Sequence, residues 1–208
     1  MRVLFHICCA NCAIYPFTRM REDGIEMTGY FFNPNIHPYQ EYQKRLDTLK
    51  TYSGKTGLEI LYQDEYLLEE FLRNVAPRPE ERCRYCYRVR LEATAREAKG
   101  RRFDAFSTTL LYSIYQKHPV IKEIGSRVSE EIGVPFHYED FRTGWREGGE
   151  VSRAMGLYRQ QYCGCIYSEK ERYANKKGIS NDKAQSPNEI PSPKVRDQNP
   201  SIVRSKGK

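Results

Sequence analysis

Val3-Leu4-Phe5-His6-Ile7-Cys8-Cys9-Ala10-Asn11-Cys12 is the stretch on which the fold turns. An apolar run interrupted by a single His reads as a strand buried on both faces, and the Cys-rich turn after it leads into a short helix over residues 13–20. Downstream, residues 25–32 read as a second strand closed by the breaker Asn33-Pro34-Asn35. A polar, periodic helix over 39–52 and a third strand over 58–62 come next. Helices over 65–74 and 85–99 are separated by Pro77-Arg78-Pro79. A fourth strand is expected over 103–109, a helix over 119–132, a fifth strand over 134–138 and a last helix over 149–160. Strands alternating with helices imply right-handed βαβ crossovers, so the expected class is α/β: one domain with a mainly parallel sheet flanked by helices. Ligands in such sheets bind beyond the carboxyl ends of the strands, where Cys8, Asn33, Thr109 and Asp140 all fall.

The 208 residues carry 34 Lys+Arg against 27 Asp+Glu, a formal net charge of +7. Hydrophobic residues are only 39% of the chain, yet 12% aromatics are too many for wholesale disorder, so two kinds of segment are averaged together. The boundary lies at Tyr173. Residues 174–208 hold eight basic and three acidic residues, four of the 11 Pro, no aromatic residue and no Cys, which reads as a disordered basic tail. Residues 1–173 form the expected domain and are nearly neutral, with all seven Cys. No segment is long and apolar enough to span a membrane, and the start lacks the pattern of a signal peptide. A cytoplasmic protein with reduced thiols is expected. Collagen, a secreted disulfide scaffold and an integral membrane protein are excluded as classes.

Six of the Cys sit in close pairs, Cys8-Cys9, Cys83-Arg84-Tyr85-Cys86 and Cys163-Gly164-Cys165, with Cys12 extending the first. Thiolates so spaced in one loop can reach the same metal, and a second loop completes four ligands: Cys8, Cys9, Cys83 and Cys86. Structural zinc is one reading and an iron–sulfur cluster another. The adjacent Cys8-Cys9 favours the cluster, because a four-iron cluster spreads its ligand sites over a larger volume than one tetrahedral ion does. Glycine between Cys163 and Cys165 permits the tight backbone of a small, labile disulfide, so this pair reads as a dithiol/disulfide couple or as further metal ligands.

Residues 73–102 hold ten Lys+Arg and four Glu. Arg82, Arg84, Arg88 and Arg90 interleave there with Tyr85 and Tyr87, a mixture suited to phosphates and stacked bases, though a solvated helix face has the same composition. His6 reads as a hydrogen-bonded core residue. His37 and His118, each before a Pro in a strand-end loop, are positioned to touch a substrate. Asp140 and Glu147 offer carboxylates for metal or proton transfer, or for surface ion pairs.

Taken in order, His6-Ile7-Cys8-Cys9-Ala10-Asn11-Cys12, Phe32-Asn33-Pro34-Asn35-Ile36-His37-Pro38, Cys83-Arg84-Tyr85-Cys86-Tyr87-Arg88, Ser107-Thr108-Thr109-Leu110-Leu111 with Tyr115-Gln116-Lys117-His118, and Met155-Gly156-Leu157-Tyr158-Arg159-Gln160-Gln161-Tyr162-Cys163-Gly164-Cys165 resemble the QueH-type epoxyqueuosine reductases. Ile114 stands where many members carry Pro. The resemblance implies a cobalamin-independent enzyme that reduces epoxyqueuosine to queuosine at the wobble position of tRNA, with a 4Fe-4S cluster on Cys8, Cys9, Cys83 and Cys86 and a redox-active pair at Cys163 and Cys165. It also implies a further iron, for which Cys12 and Asp140 are the candidates by position. Partners would be tRNA, contacted by Arg84 and Arg88, and an unidentified electron donor. A zinc-dependent RNA-binding module and a thiol–disulfide oxidoreductase are the rival classes.

Overall fold

The computed structural model describes residues 1–174; the basic tail expected over 174–208 lies, Ala174 apart, outside the described residues. Four parallel strands, β1 (Arg2–His6), β2 (Glu26–Phe31), β3 (Ile60–Tyr62) and β4 (Ala105–Thr108), form one sheet in the order β3-β2-β1-β4. Val3 to His6 are fully buried because β1 is paired on both edges and covered on both faces. Helices α1 (Ala10–Glu22), α2 (Tyr39–Thr56), α3 (Leu68–Val75), α4 (Arg82–Gly100), α5 (His118–Ile132), α6 (Trp145–Ala154) and α7 (Ile166–Tyr173) complete the domain. From β1 the chain winds outward to β3, then returns through α3 and α4 to place β4 on the other side of β1. Right-handed crossovers therefore put α1 and α2 on one face and α4 on the other. α1 accordingly packs with α2 and α6, and α4 with α5. The winding reverses between β1 and β4, and the crevice beyond their carboxyl ends is where this fold places ligands. Cys8 and Thr109 open that crevice.

His6 ties the strand ends together, as a core residue should. Its ring is fully buried, with Nδ1 3.0 Å from Thr108 Oγ1 and Nε2 3.1 Å from Asn33 Oδ1. Because Asn33 Nδ2 donates to the Ile7 carbonyl at 2.9 Å, its Oδ1 is the acceptor, so Nε2 carries the imidazole proton. Burial lowers the His6 pKa to about 3 and keeps the ring neutral.

Two expectations need correction. The fifth strand, over 134–138, is a single parallel bridge between Phe106 and Phe136. Phe106 N–H donates to the Pro135 carbonyl at 2.9 Å and His137 N–H to the Phe106 carbonyl at 2.8 Å, and Pro135, with no N–H of its own, cannot carry the ladder on toward residue 104. The last helix begins at Trp145, not near 149, and ends before Gly156, whose φ of +65° breaks the helical path. Helix α7 and the 3-10 turns Pro79–Glu81, Thr109–Tyr112 and Phe141–Gly144 had no expectation attached. Among the described residues no helix is long and apolar enough to cross a membrane.

Gly125 lets α5 lie directly on the bridge, since a Cβ there would overlap the Phe136 ring. Gly125→Val is expected to destabilise the domain by about 1–3 kcal/mol through overpacking. A denaturation midpoint equal to the parent's would contradict that close contact.

Candidate functional site

All seven cysteines are free, and most sit at helix beginnings. Cys9 is the N-cap of α1 and Cys12 lies in its first turn, Cys83 lies in the first turn of α4 with Cys86 at the start of the second, and Cys165 is the N-cap of α7. Unsatisfied backbone N–H groups and the helix dipole make such positions favourable for anionic sulfur. The sulfurs of Cys8, Cys9 and Cys12 all lie within 4.8 Å of one another, the one group of three or more potential metal-ligating side chains so gathered among the described residues. All three are buried. Hydrogen bonds from Cys12 and Cys9 hold the Cys8 thiol well below the usual range, while burial pushes Cys9 up, and the bond to Cys8 raises Cys12 most.

The second pair is built differently. Cys86 is buried and Cys83 half-buried, and burial pushes the Cys86 thiol up to about 12. Cys86 and Cys165 share one small apolar cluster with Phe71 and Val75, so α4 and α7 bring their thiols to the same patch. Gly164 between Cys163 and Cys165 has φ +144°, and a Cβ there would crowd Ile36, Arg45 and Asn35 at 3.2–3.3 Å. The tight backbone expected of this pair therefore does require glycine. Cys163 is exposed to water, yet enough protein surrounds it that burial still raises its thiol.

Two buried arginines hold the cysteine loops, and neither role was legible beforehand. Arg90, 1% exposed, donates through Nε to the Cys86 carbonyl and through Nη2 to Cys86 Sγ, both at 2.9 Å. It pairs with no carboxylate among the described residues, and its charge is felt by Cys86, Cys163 and Cys8 together. Burial alone disfavours the cation, and the side-chain acceptor it reaches among the described residues is the Cys86 sulfur. Composition alone had placed Arg90 among RNA-facing arginines; its i,i+4 spacing from Cys86 was the signal for the inward role. Arg45, also 1% exposed, pairs with Glu41 at 2.7 Å and donates to the carbonyls of Cys163 at 2.9 Å and Tyr162 at 3.0 Å. Amides complete the enclosure. Ser152 donates to Asn11, Asn11 to Gln160 at 2.7 Å, and Gln160 to Cys9 Sγ at 3.0 Å; Gln116 donates to Cys163 Sγ at 3.2 Å.

Other expected site residues lie elsewhere. Asp140 does not join the Cys8, Cys9 and Cys12 group. Its carboxylate is gripped by Arg142 at 2.5–3.1 Å, which lowers its pKa to about 2. Arg84 and Arg88 each make two hydrogen bonds to one carboxylate, Glu123 at 2.6 and 3.1 Å and Glu131 at 2.6 and 3.2 Å. With Arg78, Arg82 and Arg127 they line a cleft of about 530 Å³, but acids of α5 offset the local positive charge read from residues 73–102. Glu147 is exposed on the first turn of α6. His37 and His118 are buried, each donating from Nε2 to a carbonyl, Pro34 and Ser113, at 3.2 Å; burial lowers both, His37 to about 4. Their Nδ1 atoms have no hydrogen-bond partner.

Comparison with known proteins bears on the same constellation. Proteins named epoxyqueuosine reductase QueH are similar to this chain: that of Dehalococcoides mccartyi is 38% identical over 172 residues, covering 83% of this chain and 94% of that protein. That of Thermotoga maritima is 36% identical over 180 residues, covering 82% and 91%. Among solved structures, a predicted tRNA methyltransferase subunit from Methanocaldococcus jannaschii superposes with a TM-score of 0.47 at 12% identity over 74% of each chain. The model of the family described as epoxyqueuosine reductase QueH matches residues 3–171, from the first residues of β1 through all seven cysteines into α7. A match of that extent leaves none of the thiol-bearing loops outside it, and the chain belongs to the epoxyqueuosine reductase QueH family.

Proposed function

We propose that this chain reduces epoxyqueuosine to queuosine at the wobble position of tRNA, with a 4Fe-4S cluster and a further iron as its metal groups. The observation that carries the reading is the family match over residues 3–171, which takes in the whole set of thiols. The donor set fits such a group. The sulfurs of Cys8, Cys9 and Cys12 lie within 4.8 Å of one another, and the buried Arg90 pairs with no carboxylate among the described residues. A buried cation without a counterion would be strongly destabilising, whereas an anionic thiolate-ligated cluster supplies that counterion. Cys8, Cys9, Cys83 and Cys86 would hold the cluster. For the further iron Cys12 is better placed than Asp140, whose carboxylate Arg142 already occupies.

Converting the epoxide to an alkene takes two electrons and two protons and releases the oxygen as water. When bound, the metal groups supply electrons one at a time and a Lewis acid for the epoxide oxygen. Cys163 and Cys165 are able to supply a balanced pair: two S–H groups become one S–S bond, and their two electrons and two protons leave with the oxygen. A donor from outside then restores the dithiol. Gln116 and Arg45 orient the loop for this, one at the Cys163 sulfur and the other at the carbonyls behind it. Arg84 and Arg88 could meet tRNA phosphate only by exchanging Glu123 and Glu131 for it, so their contribution should fall steeply with salt.

Anaerobic incubation of the iron-loaded protein with epoxyqueuosine-containing tRNA, followed by nucleoside mass analysis, is expected to show loss of one oxygen atom. Cys8→Ala and chelated protein should both leave the nucleoside unchanged. No turnover by iron-replete protein would sink the reductase reading, and full activity after metal removal would sink the metal reading. A colourless, zinc-containing protein would favour an RNA-binding module instead.

A further inference from the structure

Tyr115 is 79% exposed, the most exposed large apolar side chain among the described residues, and Ile114 beside it is 48% exposed. This exposure does not come from a loose loop. Tyr115 N–H donates to Ser113 Oγ at 3.3 Å, Gln116 N–H to the Ser113 carbonyl at 3.3 Å, and Lys117 N–H to the Tyr87 hydroxyl at 3.2 Å. The Tyr87 hydroxyl in turn donates to Gln116 Oε1 at 2.8 Å. The ring is therefore held out in water by a rigid turn, which removes much of the ordering cost of binding anything against it.

The ring does not stand alone. It meets Trp145 edge to face, centroids 5.7 Å apart and planes at 84°, so the two side chains present perpendicular aromatic faces. Trp145 packs on Tyr112 at 5.1 Å, and Tyr112 in turn stacks at 6.4 Å on Tyr15 of α1, the helix that carries Cys12. The next residue after Tyr115, Gln116, donates to Cys163 Sγ. The aromatic pair is thus linked to both halves of the thiol site, one ring through Tyr112 and the other through Gln116. Lys117, exposed and in no ion pair among the described residues, adds a free positive charge at its rim.

We propose that Tyr115 and Trp145 form a stacking platform for an unpaired nucleobase of the anticodon loop, adjacent to the modified nucleoside being reduced. The proposal rests on the tRNA reading above and adds the subsite that holds a neighbouring base. Single-stranded RNA is gripped by aromatic faces on which splayed bases stack, with a cation nearby for phosphate. A platform beside the thiols holds the flanking nucleotide while the modified one enters the site.

Trp145 is the only tryptophan, so its emission reports on the platform without any turnover. Full-length, iron-loaded protein is titrated with a synthetic anticodon stem-loop RNA and with a fully paired duplex of equal charge. The stem-loop should quench Trp145 and the duplex should not. Tyr115→Ala should weaken stem-loop binding by roughly 5- to 100-fold, the range expected for one lost base stack, while Tyr115→Phe binds like the parent. Unchanged emission on stem-loop addition, equal quenching by the duplex, or parental binding by Tyr115→Ala would each overturn the platform. Emission that depends on protein concentration and not on RNA would assign the patch to a second copy of the chain, and would overturn it as well. Tyr115-dependent quenching in a protein that leaves epoxyqueuosine tRNA unchanged supports the platform and removes the reaction instead.

Discussion

Arg90→Met is expected to lower iron retention after anaerobic reconstitution by roughly 10- to 100-fold, the usual effect of removing a group that hydrogen-bonds a metal ligand. The guanidinium donates to Cys86 Sγ and its charge faces three thiols, with no carboxylate among the described residues to share it. Without it, an anionic cluster would sit in apolar surroundings with its charge uncompensated. Whatever cluster remains should be harder to reduce, because added negative charge is then less stabilised, so its midpoint potential moves to more negative values. Arg90→Lys keeps a charge but loses the planar fork that serves both the Cys86 carbonyl and its sulfur, and should fall between methionine and the parent. The metal-free protein behaves in the opposite sense. Removing a buried cation that pairs with no carboxylate among the described residues costs it little stability or raises it, whereas the loaded protein loses. Iron and sulfide content, the potential and the unfolding midpoint of both forms are the measurements. An Arg90→Met protein with full iron and an unchanged potential would refute this role.

Arg45→Leu is the second large effect, and it acts on the fold and the site together. Glu41 is 7% exposed, and without Arg45 its carboxylate keeps the Tyr158 hydroxyl alone. Breaking one side of a buried ion pair costs about 3–5 kcal/mol, so thermal and chemical unfolding should both shift markedly. The same substitution frees the carbonyls of Tyr162 and Cys163. Combining Arg45→Leu with Glu41→Leu removes the stranded charge and should recover much of the stability. Turnover in the double variant should stay low, because the Cys163 loop still lacks its clamp. A double variant that recovers both would show that Arg45 is structural only.

How far the sequence alone reaches can be followed through individual residues. Strands β1, β2 and β4 are short apolar runs closed by Cys, Asn-Pro or Thr, and their burial on both faces follows directly. The edge after β4 was harder, because an apolar run over 134–138 says nothing about which N–H groups face the sheet, and Pro135 removes one. At the site, the Cys pairs were visible through their spacing. Arg45 was not, since its loop partners lie 117 and 118 residues further along the chain. The basic stretch around Cys86 misled for a related reason. Its charge count cannot register Glu123 and Glu131, which reach Arg84 and Arg88 from a helix some forty residues away.

The contrast between exposed Cys163 and buried Cys165 gives the proposed dithiol couple a direction. An incoming reductant meets one sulfur and not the other. A mixed disulfide with an external thiol would therefore form at Cys163, with Cys165 as the departing sulfur, released at the start of α7 where the Ser168 N–H donates to it at 3.4 Å. Electrons would enter from the water side at Cys163 and pass across a single glycine to Cys165, on the side of the buried thiols.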